Sequence, residues 1–259
     1  LRWLLTASAW GMLAGVFLLA HGDTTLASRW APHTVVLVHL FTLGVLGNAM
    51  LGSLLQFLPV AAATPMPLGR SASWLHVAFN LGLAVFAVSM IHMHRTGLGV
   101  ASVLLAGPIL VFAGAALPGL LKRGGQQVLR SGIAMAVIAL ALTAVAGTVL
   151  VAILRGDAPL PLESITDAHA TVGVLGGVLG LMAAVGSVTL PMFQGTRHVP
   201  ERWLGGWVAF TVISLAVGTT LRLYSGLQQP LVVSALLPAL LFGVSRARYR
   251  SAKLSFCCS

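Results

Sequence analysis

What constrains this chain most is the length of its uncharged apolar stretches. Trp3–Ala20, Thr34–Pro59, Ser73–Ile91, Gly97–Leu121, Ser131–Leu154, Ala168–Met192, Trp203–Leu221 and Leu231–Ser245 each run without an Asp, Glu, Lys or Arg. A helix rising about 1.5 Å per residue needs about 20 such residues to cross a hydrocarbon layer of about 30 Å. Inside that layer every backbone N–H needs a partner within the chain, which favours helices. The period-two alternation of a membrane β-barrel is missing. Composition agrees: 58% of the 259 residues are hydrophobic and 8% charged, with mean hydropathy +0.96, too few charges to cover a water-soluble surface. The reading is an all-α, polytopic membrane bundle of about eight transmembrane helices embedded in a lipid bilayer.

The formal net charge of +10 does not indicate a nucleic-acid partner, because the basic residues lie in short connections and in the C-terminal tail. One face collects Arg2, Arg70, Lys122, Arg123, Arg130, Arg197, Arg202, Arg246, Arg248, Arg250 and Lys253. The other holds Arg29, Arg95, Arg155 and Arg222, with the acids Asp23, Asp157, Glu163 and Asp167. The positive-inside rule makes the first face cytoplasmic, with both termini on it, in a bacterial inner membrane. The first span is expected to serve as its own insertion signal. Cys257 and Cys258 are adjacent in the tail and form neither a CxxC motif nor a disulfide framework.

The chain reads as a duplication. WLHVAF at Trp74–Phe79 recurs as WLGGWVAF at Trp203–Phe210, and the glycine-rich helix after His39 echoes the one after His169. HGD after the first span echoes RGD after the fifth. The offset is about 130 residues each time, giving two parallel four-helix repeats, residues 1–128 and 129–259, the second ending in a basic cytoplasmic tail.

With no carboxylate or ammonium deep in a span, ion-coupled chemistry built on such groups has no footing. Histidine remains. His39 and His169 each sit about a turn inside the external end of equivalent helices. Below His169 the same helical face carries Gly173, Gly176, Gly180, Ala184 and Ser187; below His39 come Gly44, Gly47 and Gly52, with Asn48 and Gln56 nearby. Two readings stay open. A haem b held by two imidazoles needs apolar walls that admit a flat ring, with Gly44, Gly47, Gly173 and Gly176 lining it. Alternatively, small residues at this spacing are how membrane helices pack against one another.

A histidine just inside the external end of a second helix, followed by a glycine-rich descent, resembles subunit I of the heme-copper oxidases, nitric-oxide-reductase relatives included. Those proteins are built from three four-helix arcs, and this chain resembles two of them. The resemblance puts His39 on a low-spin haem ligand position and His169, by arc equivalence, on a position used for copper. Departures are large: there is no third arc, no histidine pair in Trp203–Leu221 and no HxH in a late helix. An oxygen- or nitric-oxide-reducing binuclear centre is therefore not expected.

Other residues carry weaker signals. Met90, His92 and His94 in MIHMH offer donors suited to copper, against the plainer reading of a solvated helix end. His76 opens the third span and pairs with His198 only in a second-haem reading; His21 and His33 read as solvated loop residues. Arg95 and Arg222 fit haem propionates or interfacial anchoring equally well. Asp167 reads as a helix cap.

The functional expectation is a b-type haem subunit for electron transfer, bis-His near the external face, working with partner subunits or a periplasmic c-type cytochrome. Its rivals are a cofactor-free permease or copper-handling transporter, and a purely structural membrane subunit.

Overall fold

The computed structural model describes residues 1–25, 27–69, 71–122, 126–195 and 200–225. The eighth expected span, Leu231–Ser245, lies outside the described residues, as do Arg70, Arg123, Arg197, His198, the basic tail and both cysteines. Every regular element among the described residues is helical: α1 (Arg2–Thr25), α2 (Pro32–His39), π1 (Leu40–Gly47), α3 (Asn48–Ala61), α4 (Ser71–Ile91), α5 (Arg95–Leu120), α6 (Gln127–Arg155), α7 (Leu162–Thr171), π2 (Val172–Leu179), α8 (Gly180–Gln194) and α9 (Glu201–Ser225). Here α2, π1 and α3 form one continuous span, and α7, π2 and α8 another. Seven helices among the described residues are thus long and apolar enough to cross a membrane.

The spans begin and end where local chemistry sets them. Pro32 starts α2 with its ring fixing φ and no N–H left unsatisfied. His94 takes an extended backbone before α5, and its Nδ1 accepts the Gly97 N–H at 3.1 Å. Gly195, left-handed at φ +59°, closes α8. The sixth span starts at Leu162 rather than Ala168, because the polar segment Leu162–Asp167 is itself helical. Pro161 sits extended ahead of it and Glu163 lies in its first turn, where the helix dipole favours an acid. Asp167 is therefore inside α7 and is not its cap.

The chain divides into two compact units, residues 1–125 with 144–160 and residues 126–143 with 161–259. In the first, α4 and α5 pack as an antiparallel hairpin whose close approach depends on Gly82. A Cβ there would stand 2.8 Å from the Leu104 Cβ and 3.1 Å from the Leu105 backbone nitrogen. Phe79, Leu83, Leu54, Leu58, Leu98 and Leu120 are fully buried between the helices. Lipid solvates a leucine as well as a neighbouring helix does, so close packing and hydrogen bonds hold such a core. Asn48 and Asn80 supply the latter. Each Nδ2 donates to the other's Oδ1, at 3.0 and 3.1 Å, and the Trp10 indole N–H donates to Asn80 Oδ1 at 2.6 Å.

In the second unit the N-terminal part of α6 runs along π2 and α8. Cβ atoms added at Gly177 and Gly180 would meet Leu140 and Met135 at 2.7 and 2.8 Å, and one at Gly132 would meet Ala184 at 2.9 Å. Helix α9 is joined to α7 by an ion pair, Arg222 to Asp167.

Candidate functional site

The two histidines singled out by sequence stand at the heads of the two π-helical segments. His39 immediately precedes π1, and His169 lies three residues before π2. Each segment is eight residues long and ends in an i→i−5 hydrogen bond: the Asn48 N–H to Leu43 O, the Gly180 N–H to Leu175 O. π-Helix is rare, usually a single-turn bulge, and concentrates at functional sites. Both segments contain Gly-Val-Leu-Gly, at Gly44–Gly47 and Gly173–Gly176, with a threonine two residues ahead (Thr42, Thr171). His39 lies five residues before its motif and His169 four before its own. That shared tetrapeptide is the signal that could have announced both segments.

Each imidazole is anchored through Nδ1 on a backbone carbonyl, one on its own helix and one on a neighbour. His39 Nδ1 lies 2.7 Å from Val35 O, one turn back on its own helix, and its ring packs on Phe86 with centroids 4.7 Å apart. His169 Nδ1 lies 3.0 Å from Thr143 O on α6. A carbonyl oxygen only accepts, so each Nδ1 carries the hydrogen and donates it. In the neutral ring the lone pair then belongs to Nε2. An Nδ1–H anchored on a backbone carbonyl is the usual support of a histidine that ligates metal through Nε2. The donor chemistry therefore fits a haem axial ligand.

The glycine faces behave differently from an open slot. A Cβ on Gly44 would meet the Trp10 side chain at 2.8 Å, and one on Gly47 the Phe79 ring at 3.2 Å. At Gly173 it would meet Thr143 at 2.9 Å, and at Gly176 Ala139 at 2.7 Å. In each unit these glycines let a neighbouring helix come close, as small residues do between membrane helices.

The remaining expected site residues are placed as follows. The Arg222 Nε and Nη2 both reach Asp167 Oδ2, at 3.0 and 2.9 Å, with the guanidinium buried in α9. Its geometry is that of a clamp between α7 and α9, where propionate binding was an expectation. Arg95 is exposed in the first turn of α5. In MIHMH, Met90 is buried, His92 and His94 are exposed, and His94 spends its Nδ1 on the α5 cap. His76 pairs with the Thr6 hydroxyl at 2.9 Å and lies edge-on to Trp3. His33 lies in the first turn of α2 and His21 at a kink within α1, where its backbone is not helical, and their rings lie together with that of Phe17. No group of three or more His, Cys, Asp or Glu side chains is gathered into a metal cage among the described residues.

Long apolar helices carrying few charges define a multi-pass helical membrane protein. Comparison with protein families, with curated proteins and with solved structures returned no match.

Proposed function

We propose that this chain is a b-type haem-binding subunit of a respiratory-type electron-transfer complex, with His39 and His169 as axial ligands. The observation that carries this reading is the repeated local arrangement. Each histidine heads a π-helical segment containing Gly-Val-Leu-Gly, and each anchors Nδ1–H on a backbone carbonyl so that Nε2 is the ligating nitrogen. His39 and His169 would hold the haem through their imidazoles, and the group would supply one-electron transfer in place of substrate turnover. Around His39, Phe86 supplies part of the apolar wall that raises the electrostatic penalty on charge and keeps water away.

The wider proposal follows the same pattern. The matched π segments, each packed by the first helix of its half through glycine contacts, support two parallel repeats of four helices within the bilayer. The basic residues in the connections support cytoplasmic termini in a bacterial inner membrane. Electrons would pass at the opposite face, to a partner subunit or a periplasmic c-type cytochrome. The resemblance to subunit I of the heme-copper oxidases supports His39 most directly.

The test is optical. The purified protein should give a Soret band and a b-type pyridine haemochrome, and His39→Ala and His169→Ala should each abolish the low-spin signature. A flat Soret region refutes the reading. The filled glycine faces favour a second one, a structural membrane subunit that docks helices and holds no cofactor. It wins if both alanine variants leave the spectrum and activity of the parent complex unchanged.

A further inference from the structure

We propose that His21 and His33 form a binding site for a first-row divalent cation, copper(II) above all, separate from the haem reading and sharing none of its ligands. Their ring centroids lie 5.2 Å apart with planes 27° from parallel. Two imidazoles ligating one ion through nitrogens about 2.0–2.1 Å away put their centroids roughly 4.5 Å apart in cis square-planar geometry and roughly 5 Å apart in tetrahedral geometry. The separation matches that spacing, and rotation of the stacked rings about their side-chain bonds would turn the two nitrogens toward one ion.

The pair is held by built local structure. Helix α1 breaks at His21, whose φ of −130° and ψ of 21° are not helical. The turn that follows is tied down by the Thr24 hydroxyl donating to His21 O at 2.9 Å and the Thr25 hydroxyl to Gly22 O at 3.0 Å. Across the connection, the Thr34 hydroxyl lies 2.6 Å from Thr25 O and 2.7 Å from Ser28 O, fastening the start of α2 to the end of α1. His33 is thereby fixed beside His21. Phe17, one turn before His21, stacks on it at 4.8 Å and reaches His33 at 6.0 Å, covering one side with an apolar ring.

The chemistry selects the ion. Neutral imidazole nitrogen suits copper, zinc and nickel, and copper(II) stands highest in the affinity order for nitrogen donors. His21 Nδ1 lies 3.3 Å from Phe17 O, so its hydrogen is held there and Nε2 is the donor nitrogen. His21 is exposed and His33 half-buried, so an ion can enter from water and water completes its coordination.

The experiment titrates the purified chain in detergent with copper(II), and separately with zinc(II), and reads copper by electron paramagnetic resonance. The wild type should take up one copper(II) carrying nitrogen hyperfine structure from two imidazoles. His21→Gln and His33→Gln should each lose that equivalent, and a His92→Ala/His94→Ala double variant should keep it. Zinc(II) should also protect both histidines of the unmodified protein from diethyl pyrocarbonate, a readout that needs no variant. Copper retained in both glutamine variants, copper lost in the His92/His94 variant, or no protection by zinc overturns the site. None of these outcomes depends on the haem spectrum, so the two proposals fail separately.

Discussion

Asn48 and Asn80 exchange amide hydrogen bonds across α3 and α4 at 3.0 and 3.1 Å, with Asn48 fully buried. Asn48 Nδ2 also reaches Gly44 O at 2.9 Å, inside π1, and Asn80 Nδ2 reaches His76 O at 2.8 Å. The pair thus ties the π segment below His39 to the neighbouring helix. In an apolar medium an amide that loses its partner has no water to turn to. Asn48→Leu and Asn80→Leu should each destabilise the protein, with a coupling of about 1 kcal/mol in a double-mutant cycle. Unfolding in mixed detergent micelles measures it, and a coupling near zero removes the pair's structural role.

The Arg222–Asp167 ion pair makes a stronger claim. Side-chain exposures of 5% and 14% leave little water to screen it. Removing one member takes a buried ion-pair partner from the other, so Asp167→Asn or Arg222→Met should destabilise the protein, with about 3–5 kcal/mol as the upper end. The double variant should recover part of that loss. Thermal denaturation of the four proteins decides this, and equal losses for single and double variants would show that the charges do not act as a pair.

Glycines separate into those in contact and those in the open. Gly44→Ala and Gly173→Ala place a methyl within 2.8 and 2.9 Å of Trp10 and Thr143, an overpacking expected to cost about 1–3 kcal/mol. Gly107→Ala meets nothing within 4 Å and should stabilise α5 by roughly 0.5–1 kcal/mol through helix propensity. The same denaturation series checks both signs. A destabilised Gly107→Ala would place an unseen neighbour on that face.

His94 offers a test of the turn between α4 and α5. Its Nδ1 accepts the Gly97 N–H, so His94→Ala should lose a cap worth about 0.5–2 kcal/mol. His94→Asn should restore most of it, since a side-chain oxygen caps equally well. If both variants are equally unstable, the histidine holds the turn by something other than this hydrogen bond.

The sequence by itself determined the class and most span limits. Uncharged runs the length of a bilayer leave the chain no other regular structure, since a backbone in lipid must satisfy itself. His39 and His169 stand out in the sequence for the same reason, as polar groups set in apolar helices above glycine-rich faces. Tertiary structure decided what a one-dimensional pattern cannot carry. Whether Gly44 and Gly173 open a slot or seat a neighbour depends on the partner surface, and Trp10 and Thr143 fill it. The π turns shift side chains relative to an ideal helix, so a helical-face argument drawn at uniform spacing drifts past Gly44 and Gly173. Asp167 read as a cap because Arg222 is 55 residues away in the chain, and His21 and His33 read as loop residues because only the folded connection lays their rings side by side. Long-range pairing is a property of packing, and spacing along the chain does not contain it.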